Sequence, residues 1–95
     1  MLGIKDKGIL LQITKRCNRV IEKLLNISEI EFALNDDIKE VVCFNLFQIG
    51  ELANGLSIEF KKEYNKIPWK QIIGMRNRIV HDMILLIWRL YGAQL

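Results

Sequence analysis

The sequence predicts an all-α fold, most simply an up-and-down antiparallel bundle of about four helices. Three observations carry this. Apolar residues return at helical spacing through most of the chain. No run alternates cleanly, and no hairpin turn joins β-rich stretches. The single proline and the few turn signals fall between periodic segments rather than inside them.

The first helix is expected from about Lys5 to Leu25. Ile9, Ile13, Cys17, Val20, Ile21 and Leu24 recur on one side, with Lys and Arg between them. "NISEIEFALNDD" then breaks the pattern, and Ser28 with Glu31 has the spacing of a capping box for one short turn. Asp37 with Glu40 opens a second long helix, about 37–54. One of its faces holds Ile38, Val42, Ile49, Ala53 and Leu56. The other holds Phe44 and Phe47 with Glu51 beside them, so the helix is central or belongs to an interface. "NG" at 54–55 marks its end. "SIEFKKEYNK" is a short charged helix or turn. Pro68 suits the first position of a last helix, which carries "PWKQIIGMRNRIVHD" and extends into "MILLIWRLYG".

Ninety-five residues make one domain. A chain this short buries only about 60–65% of its unfolded surface, so a monomer is marginal. Yet 51% of the residues are hydrophobic and 26% charged, which excludes disorder and leaves apolar surface for a second copy. The formal charge of +3 permits an anionic ligand without the dense basic stripe of a duplex-DNA binder. Cys17 and Cys43 lack metal or redox spacing and read as reduced core thiols. With one histidine in the chain, no zinc set can be assembled, so no metal and no cofactor is expected. The N-terminus is interrupted by charge, unlike a signal peptide, and the longest apolar run, "MILLIW", is far short of a membrane span. A cytoplasmic location is the expectation.

The stretch "IIGMRNRIVHD", residues 72–82, is the chemical anomaly. On a helical wheel with Trp69 at zero, Ile72, Ile73, Ile79, Val80, Met83 and Ile87 fall within about 80° of it. Arg76 falls in their midst, at about −20°. Asn77 and His81, four apart, share a flank, where the amide could orient the imidazole. Arg78 and Asp82 face away, as an exposed ion pair. A guanidinium on an apolar face needs an anion or acceptors, since burying it unpaired costs several kcal/mol. Glu51 is the first candidate partner and Asn45 the second, with carbonyls of another helix or an anionic ligand also open. A lone histidine on a helix flank is more often structural than catalytic, so the wheel alone leaves a site and a solvated face both open.

"RNRIVHD" nevertheless resembles the signature of the HEPN superfamily, an Arg with a polar neighbour and a His four to six residues on. The longer stretch "FQIGELANGLSIEFKKEYNKIPWKQIIGMRNRIVHD", residues 47–82, resembles HepT-type proteins. It shares their Gly-Glu on the second long helix, then Ile-Pro-Trp, Gly-Met-Arg-Asn and His-Asp. The resemblance covers residues 5–82 in layout. It implies a single HEPN-like helical domain over 1–95, dimeric, with metal-independent RNA cleavage. In that family the protein is the toxin of a type II toxin–antitoxin pair. The partner is a nucleotidyltransferase-fold antitoxin of the MntA type, which adenylylates a tyrosine near the catalytic site. Carried over, Arg76 and His81 are the catalytic pair, supported by Asn77 and Glu51. The family tyrosine stands two residues after the histidine, and here that position is Met83, so no modification site is expected. The family's last helix usually runs longer, which implies a shortened C-terminal end. The alternative reading is a non-catalytic dimeric module of the same fold that binds nucleotide, RNA or a nucleotidyltransferase partner.

Overall fold

The computed structural model describes residues 3–79, and within them every regular element is a helix. They are α1 (Ile4–Leu24), α2 (Glu29–Leu34), α3 (Asp36–Asn54), α4 (Ile58–Glu63) and α5, whose described part covers residues 69–79. The all-α expectation holds, with the short turn after α1 and the charged segment before Pro68 both formed as real helices.

Three helices start on the same device. Ser28, Asn35 and Ser57 each accept a hydrogen bond from the backbone amide three residues on, at 3.1, 3.0 and 3.1 Å. Each such cap satisfies an amide the helix cannot, a contribution of about 1 kcal/mol. Ser28 also donates to Glu31 Oε1 at 3.2 Å, as the spacing predicted. The start of α3 differs from the reading on Asp37 and Glu40. Asn35 is the cap, and Asp36 and Asp37 lie in the first turn, where their charge suits the helix dipole. Pro68 sits just outside α5 rather than at its first position, and its carbonyl accepts from Ile72 N at 3.1 Å. Gly55 ends α3 with an ordinary right-handed φ of −83°. The left-handed residue is Asn26 after α1, at φ 62°, a conformation Asn tolerates better than most.

Helices α1 and α3 pack antiparallel, pinned at residues 6 with 57, 9 with 55, and 16 with 45. Val42, Ile49, Ala53, Leu56 and Phe60 form the buried apolar core. The ring of Phe60 meets Tyr64 at 4.8 Å and Trp69 at 5.8 Å, which ties α4 to the start of α5. Trp69 Nε1 donates to the Tyr64 carbonyl at 3.1 Å across the same turn. Two expectations about burial are corrected. Ile21 and Leu24, placed on the inner face of α1, are 55% and 41% exposed. Cys43, read as a core thiol, is exposed on α3, while Cys17 is half-buried, and both are free.

Two buried polar residues replace apolar ones in the α1–α3 seam. Asp6 accepts from Ser57 N at 2.9 Å and from Ser57 Oγ at 2.5 Å, so one carboxylate fastens the start of α1 to the cap of α4. Those hydrogen bonds favour the charged form and hold the carboxyl below its ordinary 3.8, with smaller help from Lys5 and Lys61. Asn45 donates to the Val41 carbonyl at 2.7 Å and accepts from Arg16 at 3.3 Å. No helix of the described residues is long and apolar enough to cross a membrane.

Candidate active site

Helices α3 and α5 come into close contact at Gly50. A Cβ added there would stand 2.8 Å from Arg76 Cβ, 3.1 Å from the Ile72 carbonyl and 3.3 Å from Arg76 N. The lack of a side chain at Gly50 lets α5 lie on α3, and the next residue, Glu51, is thereby brought to Arg76. Arg76 Nε pairs with Glu51 Oε1. Nη1 of the same guanidinium donates to Asn77 Oδ1 at 2.9 Å. Nη2 has no partner among the described residues.

The two contacting atoms are shut away from solvent, but the side chains that carry them are not. The side chains of Arg76 and Glu51 are 38% and 40% exposed, and Ile72, Ile73, Met75 and Ile79 around them are only half-buried. An ion pair at that exposure is worth about 0–1 kcal/mol, so its consequence is orientation rather than stability. Held at Nε and Nη1, the planar group has Nη2 left unengaged among the described residues. A point ammonium held by one carboxylate would have no such planar fork.

The sequence-derived candidates thus divide. Arg76, Glu51 and Asn77 are brought together. Asn45, the second candidate for Arg76, is turned to the other side of α3 and engaged by Arg16. Arg78 is exposed, as the wheel anticipated. His81, Met83, Asp82 and Tyr91 lie outside the described residues. Among the described residues no group of three His, Cys, Asp or Glu is disposed to hold a metal. Gly50 was missed as a site residue, although the "GE" pair itself was noticed. A glycine in the middle of a helix costs about 1 kcal/mol against alanine, and that is the signal a sequence gives for close approach.

The model of the ribonuclease HepT-like family matches residues 13–84, which takes in the second half of α1, the α3–α5 contact and the whole "GMRNRIVHD" segment. The chain belongs to that family. Among its relatives is a protein of Caldanaerobacter subterraneus subsp. tengcongensis, 33% identical over 70 residues, covering 74% of this chain and 62% of the relative. Another is from Methanocaldococcus jannaschii, 31% identical over 88 residues, covering 88% of this chain and 81% of the relative. A second protein of that archaeon is 30% identical over 76 residues, covering 80% and 63%. All three bear provisional RNase names. The chain therefore spans less than two thirds of the length of some of these relatives. No solved structure matches the chain significantly.

Proposed function

We propose that this HepT-like protein is a metal-independent endoribonuclease, in which Arg76 and His81 cleave RNA through attack by the substrate's own 2′-hydroxyl. The observation that supports this reading best is the state of Arg76. It is fixed by Glu51 and Asn77 inside the family segment, with Nη2 unengaged among the described residues.

The chemistry follows from the residue types. The 2′-oxygen attacks the adjacent phosphorus, forming a 2′-O–P bond, and the P–O5′ bond breaks. The proton leaving the 2′-hydroxyl goes to a base, and O5′ receives one from an acid. Imidazole, titrating near pH 6.5, serves either role. One histidine cannot conveniently serve both in a single step, so two copies of the chain sharing a cleft supply the pair. Nη2 of Arg76 stabilises charge on the phosphoryl oxygens in the transition state. The product is a 2′,3′-cyclic phosphate and a 5′-hydroxyl.

A dimer also accounts for apolar surface that a monomer leaves in water, such as Leu11, Ile21, Leu25, Ile30 and Leu34. Within the proposal the protein is the toxin of a toxin–antitoxin pair, acting in the cytoplasm, with a nucleotidyltransferase-fold protein as antitoxin. With methionine at position 83, control by tyrosine adenylylation does not form part of it. A second reading, a module that binds RNA without cutting it, draws on the same Glu51 contact, since a carboxylate at Arg76 competes with phosphate for the cation. Incubation of the protein with RNA in EDTA separates the two. Cyclic-phosphate ends that vanish in His81→Ala support the nuclease; intact RNA with retained binding supports the module.

A further inference from the structure

On the side of α1 that meets α3, a groove of about 660 Å³ opens between Lys15, Arg16 and Arg19 on one wall and Phe44 on the other. We infer that this groove is a subsite for a nucleotide of single-stranded RNA next to the one being cut. The inference rests on the nuclease reading only for the word "cut"; the binding surface stands on its own observations.

Phe44 is a large aromatic left 54% exposed in the middle of a long helix. Its ring is not loose. The Arg16 guanidinium carbon lies 5.4 Å from the ring centroid, and Arg16 is itself fastened to buried Asn45 at 3.3 Å. Arg16 Nε is shut away from solvent without a hydrogen-bond partner among the described residues. A guanidinium fixed in place against an exposed ring is a stacking platform with a cation at its edge, the pairing that holds bases and phosphates of single strands without reading sequence. The volume falls within the range of small-ligand sites.

The charge is asymmetric but modest. Glu40 stands beside Phe44, and Glu22 lies 3.9 Å from Arg19, so the cations exceed the acids by one. That favours a ligand held by one stacked base and one or two phosphates over a long electrostatic track. The position on α3 is the link to the candidate active site. Phe44 and Glu51 are seven residues apart, within about 20° on the wheel and about 10 Å along the axis. The ring and the carboxylate that holds Arg76 therefore leave α3 on the same side. A strand whose phosphate meets Arg76 has a neighbouring base within reach of Phe44.

The test uses the full chain in three measurements. Binding of a fluorescein-labelled 12-nucleotide RNA by anisotropy is made in the His81→Ala background to prevent cutting. Cleavage of the same RNA and sedimentation are measured on the otherwise unaltered chain. Phe44→Ala is expected to weaken binding about 5- to 150-fold, the range for one base stacked on an aromatic ring, and to lower kcat/KM through KM. Phe44→Leu, which keeps apolar bulk without the π face, is expected to weaken it as well. Lys15→Gln with Arg19→Gln should reduce the slope of log affinity against log salt by about 1.4, two single-strand phosphate contacts. Phe44→Ala that binds and cuts like the parent overturns the subsite and leaves the nuclease standing. A change of sedimenting mass in Phe44→Ala also overturns it, by assigning the ring to a protein contact. A parent that binds RNA but cuts none removes the nuclease reading, and the same variants still decide the groove.

Discussion

Replacing Gly50 by alanine tests whether the close approach of α3 and α5 sets the geometry of Arg76. The added methyl would lie 2.8 Å from Arg76 Cβ and 3.1 Å from a backbone oxygen, neither of them the yielding end of a long side chain. Carbon atoms pack at about 3.5–4.0 Å, so α5 must retreat by roughly 0.5–1 Å. Overpacking of this kind costs about 1–3 kcal/mol. Alanine returns about 1 kcal/mol of helix propensity, which leaves a net loss of about 1 kcal/mol. For a domain of this size that lowers Tm by about 4–8 °C. Cleavage should suffer more, since a displacement of about 1 Å at a reacting group can cost about 100-fold. Gly8→Ala is the control: Gly8 is exposed within α1 with nothing described within 4 Å of its Cβ position, and it should gain up to about 1 kcal/mol. Thermal unfolding by circular dichroism and initial cleavage rates measure both effects. A Gly50→Ala protein stabilised as much as Gly8→Ala, with undiminished cleavage, would refute the contact and with it the placing of Glu51 against Arg76.

His81→Ala should lose about 10²–10⁴-fold in cleavage rate, and cleavage by the unaltered chain should survive EDTA and leave DNA intact, both read on denaturing gels. Arg76→Lys should fail comparably, since an ammonium cannot hold Glu51, Asn77 and a phosphate on separate edges, whereas exposed Arg78→Ala should leave the rate within a few-fold. Sedimentation at micromolar concentration should show a dimer; a well-folded monomer would remove the shared cleft. Asp6 titrates below its ordinary 3.8 in the folded chain, so its contribution is present above that value and is lost as pH falls through the lower folded value. Urea midpoints should accordingly fall less steeply between pH 5 and pH 2 in Asp6→Asn than in the parent, and equal slopes would count against the Asp6–Ser57 latch.

Local chemistry made much of this molecule legible in its sequence. Helical periodicity in α1 and α3, and Ser28 ahead of Glu31, are short-range patterns. They determine elements because a helix is built from contacts three and four residues apart. The polar anomaly at Arg76 was legible for the same reason, as was membership of the HepT-like family from "GE", "IPW" and "GMRN"; Glu51, 25 residues away, was one of several candidate partners until the fold chose it. Other features depended on which helix faces which. Asp6 and Arg16 lie in line with Ile13 and Ile9 on the inner stripe of α1, and the wheel could have flagged them as polar residues in an apolar seam. Their partners, Ser57 and Asn45, are 51 and 29 residues away, a distance that no periodicity encodes. Likewise, "GE" at 50–51 shows a glycine and a carboxylate side by side. Only the crossing of α5 over α3 makes that glycine the contact point, because close approach is a property of two backbones and not of either segment alone.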